Sequence, residues 1–147
     1  MLFLTCNMKS YSQTKISLNK YYKGCGVVFD SIDTNSLYFR IPYFKKPFTP
    51  SLNELENTEN LLNHFIEEKF KELYKELKFY NRQYLCFINE NNEMNIIVIL
   101  LNFKNKRKAS RNFKGWMNEI TLGLGKFYEE NQLIIRVNLD KKEVSIF

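Results

Sequence analysis

Histidine occurs only once in this chain, as His64, and cysteine, proline and glycine are also scarce. A single histidine excludes every catalytic mechanism that needs two. Cys6, Cys25 and Cys86 lack the spacing of a metal site, and an odd number of cysteines does not describe a disulfide framework. There is no phosphate-binding glycine loop, no dinucleotide-binding glycine motif and no zinc motif. We therefore expect a protein that is not an enzyme and that has no catalytic residues, no cofactor and no metal site.

One catalytic alternative stays open at this point. Cys25 lies between Gly24 and Gly26, and a flexible, accessible turn suits a reactive thiolate. His64 could act as its base if the two side chains came within hydrogen-bonding distance.

Long hydrophobic runs are absent as well. The longest largely apolar stretch covers residues 94–101, with Asn95 as its one polar residue, which is too short to cross a bilayer, so we expect no transmembrane segment. Residues 1–13 lack the basic start and long apolar core of a complete secretory signal. They are similar to the end of such a signal, with cleavage near Ser12 if the true start lies upstream. The alternatives are a signal-peptide remnant, which makes the protein periplasmic or secreted, and a short disordered or strand-forming terminus, which leaves it cytoplasmic.

What the chain does contain is a strong apolar pattern. Of its 147 residues 44% are hydrophobic and 16% aromatic, which is enough for one folded domain over residues 14–147. Ile96 to Leu101 has no polar interruption, so it predicts a strand that is buried on both faces. Tyr84 to Ile88 precedes it across the polar turn 89–93, which favours a hairpin.

Two helices are expected around this hairpin. Ser51 and Glu54 have capping-box spacing, and a stripe from Leu62 to Leu77 recurs every three or four residues. A second helix should begin near Ser110 and end at the glycines 123 and 125. Strands are expected on either side of these helices. The fold class is therefore α+β: a single domain with a mainly antiparallel sheet of about five to six strands, packed by one long and one shorter helix.

A cluster of positive charge follows the hairpin. Six cations fall within eleven residues of a chain whose net charge is +6: Lys104, Lys106, Arg107, Lys108, Arg111 and Lys114. Positive charge at a helix start opposes the helix dipole, so stability alone does not explain the cluster. It predicts an anion-binding site for nucleic acid, acidic lipid or an acidic protein, with Phe113 as the available aromatic residue. The alternative is a solvated loop.

Residues 84–147 resemble the carboxy-terminal domain of TonB-type energy transducers. The resemblance rests on residues 84–93 followed by 95–98, then a helix, then 126–132 leading into a strand from Leu133 to Leu139. It implies a small α+β unit that pairs an exposed strand edge with a peptide from a membrane receptor. That edge would be Leu133, Ile135, Val137 and Leu139, or Val144 to Phe147. The printed residues contain no Pro-rich spacer and no membrane anchor, so energy transduction is not implied.

Two functions follow from these observations. The first is a non-enzymatic, exported binding module for a protein or peptide. The alternative is a basic cytoplasmic accessory protein that binds nucleic acid through residues 104–114.

Overall fold

A seven-stranded sheet organises the residues that the computed structural model describes, which are 12–31, 41 and 43–147. Its strands are β1 (Ser12–Ile16), β2 (Gly26–Ser31), β3 (Phe44–Pro47), β4 (Tyr80–Asn89), β5 (Met94–Asn102), β6 (Gln132–Asn138) and β7 (Glu143–Ile146). The helices are α1 (Leu52–Lys69), α2 (Lys71–Glu76), α3 (Lys106–Asn112) and α4 (Lys126–Asn131), with a single 3₁₀ turn at Leu77–Phe79. The α+β class and the single long helix are confirmed. The sheet has seven strands where we predicted five to six. The described residues also form three short helices where we predicted one.

The sheet order is β1-β2-β4-β5-β6-β7, and β3 pairs with the far end of β4 on the same edge as β2. Only β2 and β4 run parallel, from Gly26 beside Arg82 to Phe29 beside Leu85. The predicted hairpin is confirmed, because β4 and β5 pair continuously from Tyr80 with Asn102 to Ile88 with Met94. The mainly antiparallel sheet is therefore confirmed.

Strand β5 is buried on both faces, as its uninterrupted apolar run predicts. The side chains of residues 96–101 are all 0% exposed. Alternate residues pack in two separate cores: Ile96, Val98 and Leu100 share the first with α1, and Ile97, Ile99 and Leu101 share the second with Phe113 and Trp116. We call the α1 side the first face of the sheet and the opposite side the second face.

Helix α1 begins where its capping box predicts. The Ser51 side chain accepts a hydrogen bond from the Glu54 amide at 3.1 Å, and the Glu54 carboxylate accepts one from the Ser51 amide at 2.7 Å. The helix ends at Lys69, because Phe70 leaves helical geometry with φ −137° and ψ 65°. The predicted stripe from Leu62 to Leu77 is therefore interrupted: Phe70 is 38% exposed and α2 has no fully buried residue, and Leu77 in the 3₁₀ turn returns to the first core.

The prediction of one helix from Ser110 to the glycines is wrong. Helix α3 ends at Asn112, and Gly115 adopts φ 80°, a left-handed geometry that interrupts a helix. Phe113, Trp116 and Ile120 are nevertheless buried, because this irregular segment lies against the second face. The helical period also selects Met117, which is partly buried, and Leu124, which is 91% exposed, so it identifies the core residues here only in part.

An ion pair is completely buried between α1 and β4. The Glu59 and Arg82 side chains are both 0% exposed. Arg82 Nε and Nη2 donate to the two Glu59 carboxylate oxygens at 3.2 and 3.3 Å. Arg82 Nη1 donates to the carbonyls of Leu77, at 3.0 Å, and Tyr80. The guanidinium therefore connects α1, the 3₁₀ turn and the start of β4.

Two tyrosines complete this network. The Tyr84 hydroxyl donates to Glu59 Oε1 at 2.7 Å and lies 3.1 Å from the Tyr22 hydroxyl. The Tyr22 ring stacks on the Arg82 guanidinium at 4.3 Å. Burial raises the pKa of Tyr22 to about 12 and that of Tyr84 well above its usual value, so both hydroxyls stay protonated hydrogen-bond donors at neutral pH.

Removal of one partner from this ion pair should destabilise the fold strongly. We expect Glu59→Leu to lower the free energy of unfolding by about 3–5 kcal/mol, because the buried Arg82 charge loses its counterion. The double variant Glu59→Leu/Arg82→Met should recover part of that loss. Urea unfolding of Glu59→Leu, Arg82→Met and the double variant measures the free energy of unfolding of each. Glu67→Leu, at an exposed position of α1, is the control and should cost little. A double variant that loses the full sum of the two single losses would contradict the coupling.

Candidate functional site

The six predicted cations lie in and around α3. Lys104 is in the loop that precedes the helix, and Lys106, Arg107 and Lys108 are in its first turn. Arg111 is in the last turn and Lys114 follows it. All six are exposed, because Ala109 and Phe113 are the residues of this segment that turn into the second core.

These charges are almost uncompensated. Within residues 12–31, 41 and 43–147, Lys104 is the only one of the six cations with an ion pair, at 2.9 Å from the Glu76 carboxylate. Asn105 caps the helix by accepting a hydrogen bond from the Lys108 amide at 3.1 Å, and the first turn contains no acidic residue. Three cations in that turn oppose the helix dipole, so the arrangement costs stability.

Aromatic rings lie beside the cations, but Phe113, the ring that the sequence indicates, is not among them. Phe113 is fully buried and cannot stack with a ligand. Instead, the ammonium groups of Lys23, Lys78 and Lys104 lie 5.2, 5.2 and 5.9 Å from the ring centroid of Phe79, which is only partly buried.

A groove continues this surface between α3 and α4. Its volume is about 280 Å³, and its lining includes Lys104, Lys108, Phe127 and Asn131. The Lys108 ammonium lies 5.5 Å from the Phe127 ring centroid. We use the name basic surface for the six cations together with Lys23, Lys78, Phe79 and Phe127.

Sequence reasoning missed four members of this surface. Lys23 and Lys78 are distant from residues 104–114 along the chain, and a hydrogen bond from the Lys23 amide to the Lys78 carbonyl, at 2.9 Å, brings them together. The parallel pairing of β2 with β4 creates that contact. The only local signal for these members is a lysine next to a phenylalanine, as at Lys78-Phe79. That pair is too common in sequences to identify a binding site by itself.

The predicted free edge at Leu133, Ile135, Val137 and Leu139 is wrong. Strand β6 lies between β5 and β7, with Ile135 opposite Ile146 and Val137 opposite Val144. The Asp140–Lys142 turn returns the chain along β6 and covers its edge. Ile135 and Val137 are fully buried, and Leu133 and Leu139 pack against the first core. The second alternative is at the edge: β7 is the outer strand, and Ile146 and Phe147 are 48% and 38% exposed.

The remaining sequence candidates form no further site in the described part of the chain. Cys25 is partly buried, His64 is exposed on α1, and no hydrogen bond joins them there. No described group of three His, Cys, Asp or Glu side chains is arranged to hold a metal ion. None of the described helices is both long enough and apolar enough to span a membrane. Cys6 and the rest of residues 1–11 lie outside the described residues, whereas Ser12 and Gln13 begin β1.

Charge reversal at the two ends of α3 should distinguish the effect of the helix dipole on stability from the effect of net charge. Lys106→Glu, at the first helical position, should raise the free energy of unfolding by about 0.3–1 kcal/mol. Arg111→Glu, in the last turn, makes the same change of net charge and should lower it by a similar amount. Thermal unfolding at low salt measures both variants. Equal shifts of the same sign would contradict this account.

Comparisons with models of protein families, with curated proteins and with solved structures give no significant match. The resemblance of residues 84–147 to the TonB domain therefore stays a prediction. The chemistry of the basic surface and of the β7 edge is what supports a function for this chain.

Proposed function

We propose that the protein is a non-enzymatic binding protein that holds single-stranded nucleic acid on the basic surface. The observation that carries this proposal is the grouping of cations around Phe79 and Phe127, of which only Lys104 has an ion pair within the described residues. Cations attract the phosphates of any strand, and aromatic rings stack on its bases. Both requirements are met within one continuous surface.

The side chains involved favour a flexible single strand. Lysine carries its charge on four rotatable bonds, so the ammonium groups beside Phe79 and Phe127 can swing out to phosphates and leave the ring faces to bases. Bases are accessible for stacking in single strands and are covered in a duplex. The basic surface therefore suits a strand that crosses from Phe79 over the groove to Phe127.

Fluorescence anisotropy with a labelled oligonucleotide tests the charges. The affinity should fall steeply with salt, and Lys106→Ala/Arg107→Ala/Lys108→Ala should reduce the slope of log K against log salt by about 2, since each phosphate contact on a single strand contributes about 0.7. The control Lys45→Ala/Lys46→Ala/Lys142→Ala removes three exposed cations from the opposite end of the hairpin and should leave the affinity nearly unchanged.

The same assay tests the rings. Phe127→Ala should weaken binding by about tenfold, the cost of one lost stacked base, without changing the salt slope. Absent binding, or binding that is independent of salt, would contradict the proposed function.

A second candidate is the exported peptide-binding module, which the outer edge of β7 favours. The Phe147 amide donates to the Ile134 carbonyl at 3.0 Å, so in the alternating pattern the amides of Val144 and Ile146 point away from β6. An added strand could pair with these groups beside the exposed Ile146 side chain.

Affinity capture from a cell-envelope extract tests this candidate. Ile146→Pro removes an outward amide without removing a β6–β7 hydrogen bond, so a partner held by strand addition should be lost. Ile146→Ala, which keeps the amide, is the matched control and should retain it. A partner that still binds the Ile146→Pro variant, or recovery of nucleic acid alone, would count against edge binding.

A further inference from the structure

A second pocket, separate from the basic surface, lies on the second face of the sheet near the β4–β5 turn. Its volume is about 270 Å³, and its lining includes Tyr43, Glu93, Arg136, Asn138, Glu143 and Ser145. Arg136 on β6 stands opposite Ile97 of β5 and Ser145 of β7, and residues directly opposite share a face. We call this the Arg136 pocket.

The Arg136 guanidinium is held in place by residues of β4 and β5. Its Nε donates to Asn95 Oδ1 at 3.0 Å, and the guanidinium lies 5.8 Å from the Phe87 ring centroid. Asn95 is fully buried, and its own amide group donates to the Glu93 carbonyl at 3.0 Å. The guanidinium is therefore oriented by a buried amide before any ligand arrives.

Among the residues that the structure describes, most of the hydrogen-bonding capacity of Arg136 is unused. A guanidinium has five N–H donors, and within the described residues only the Nε donor has a partner. No carboxylate there lies within ion-pair distance of Arg136, although its side chain is half-buried. A partly desolvated charge without a counterion is unfavourable, so the site is better satisfied with an anion in it.

The acidic residues of the pocket are not that counterion. The Glu93 carboxylate accepts hydrogen bonds from Asn89 and Asn138 at 2.8 and 2.9 Å, and Lys141 lies 3.4 Å away. These contacts lower the pKa of Glu93, so it stays charged and engaged. Glu143 on the rim adds a second negative charge, and two such charges favour a monoanion over a doubly charged phosphate.

We infer that the Arg136 pocket binds a carboxylate. The two free guanidinium nitrogens match the two oxygens of a carboxylate in a planar, bidentate arrangement. The hydroxyls of Tyr43 and Ser145, which also line the pocket, can add hydrogen bonds. The carboxylate belongs either to a small organic acid or to the C-terminus of a peptide that lies beside β7.

Titration of ¹⁵N-labelled protein, followed by NMR, tests this inference. The probes are acetate, N-acetyl-trialanine and the C-terminal amide of that peptide. Acetate or the free peptide acid should shift the Arg136 Nε–H and Asn95 side-chain signals to saturation. Arg136→Gln should weaken binding by about tenfold or more, as expected for loss of a charge-assisted pair. Lys71→Gln removes the same charge from an exposed position of α2, outside both proposed sites, and should leave the affinity for the carboxylate unchanged.

The probes also separate the two sources of the carboxylate. Tighter binding of the peptide acid than of acetate identifies a peptide C-terminus, and equal affinity identifies a small acid. An amide that binds as well as the acid overturns the inference, and so does a wild-type Arg136 signal that none of the probes shifts. Because Arg136 is outside the basic surface, failure here leaves the nucleic-acid proposal untouched.

Discussion

The burial of β5 on both faces is the constraint on which the rest of this structure depends. Six consecutive apolar side chains can all leave water only if each face of the sheet is covered. Helix α1 covers the first face with its apolar stripe, and α3 with the irregular segment after it covers the second. The basic surface lies beside the covering elements at one end of the β4–β5 hairpin, and the Arg136 pocket lies at the other.

The buried Glu59–Arg82 pair connects this core to the basic surface. Arg82 sits on β4, and its guanidinium stacks on Tyr22 in the loop before β2. The next residue is Lys23, whose amide binds the Lys78 carbonyl and whose ammonium lies beside Phe79. A polar contact inside the first core thus helps to place a cation at the surface. Buried ion pairs contribute little net stability compared with apolar packing, and what this pair and its tyrosines provide is direct polar contact among α1, β4 and the loop before β2.

The parts of the site that the sequence predicts are those formed by residues close together along the chain. The six cations from Lys104 to Lys114 are visible as a run of charge. Phe79 and Lys23 lie beside these cations only because β2 pairs with β4. Phe113 is not accessible to a ligand, because the segment after α3 packs against the second face. The free edge was misplaced for a related reason: β6 and β7 both have strand patterns, and only their order in the sheet shows which one is outside.

Local pattern by itself determined that β5 is a doubly buried strand, that α1 starts at its capping box, and that positive charge gathers after the hairpin, because each depends on residues that are neighbours along the chain. The tertiary structure alone decided the counterion of Arg82, the ring beside Lys23, the outer strand of the sheet and the open donors of Arg136. These depend on contacts between residues that are far apart in sequence, and many pairings of the same elements satisfy the local pattern equally well.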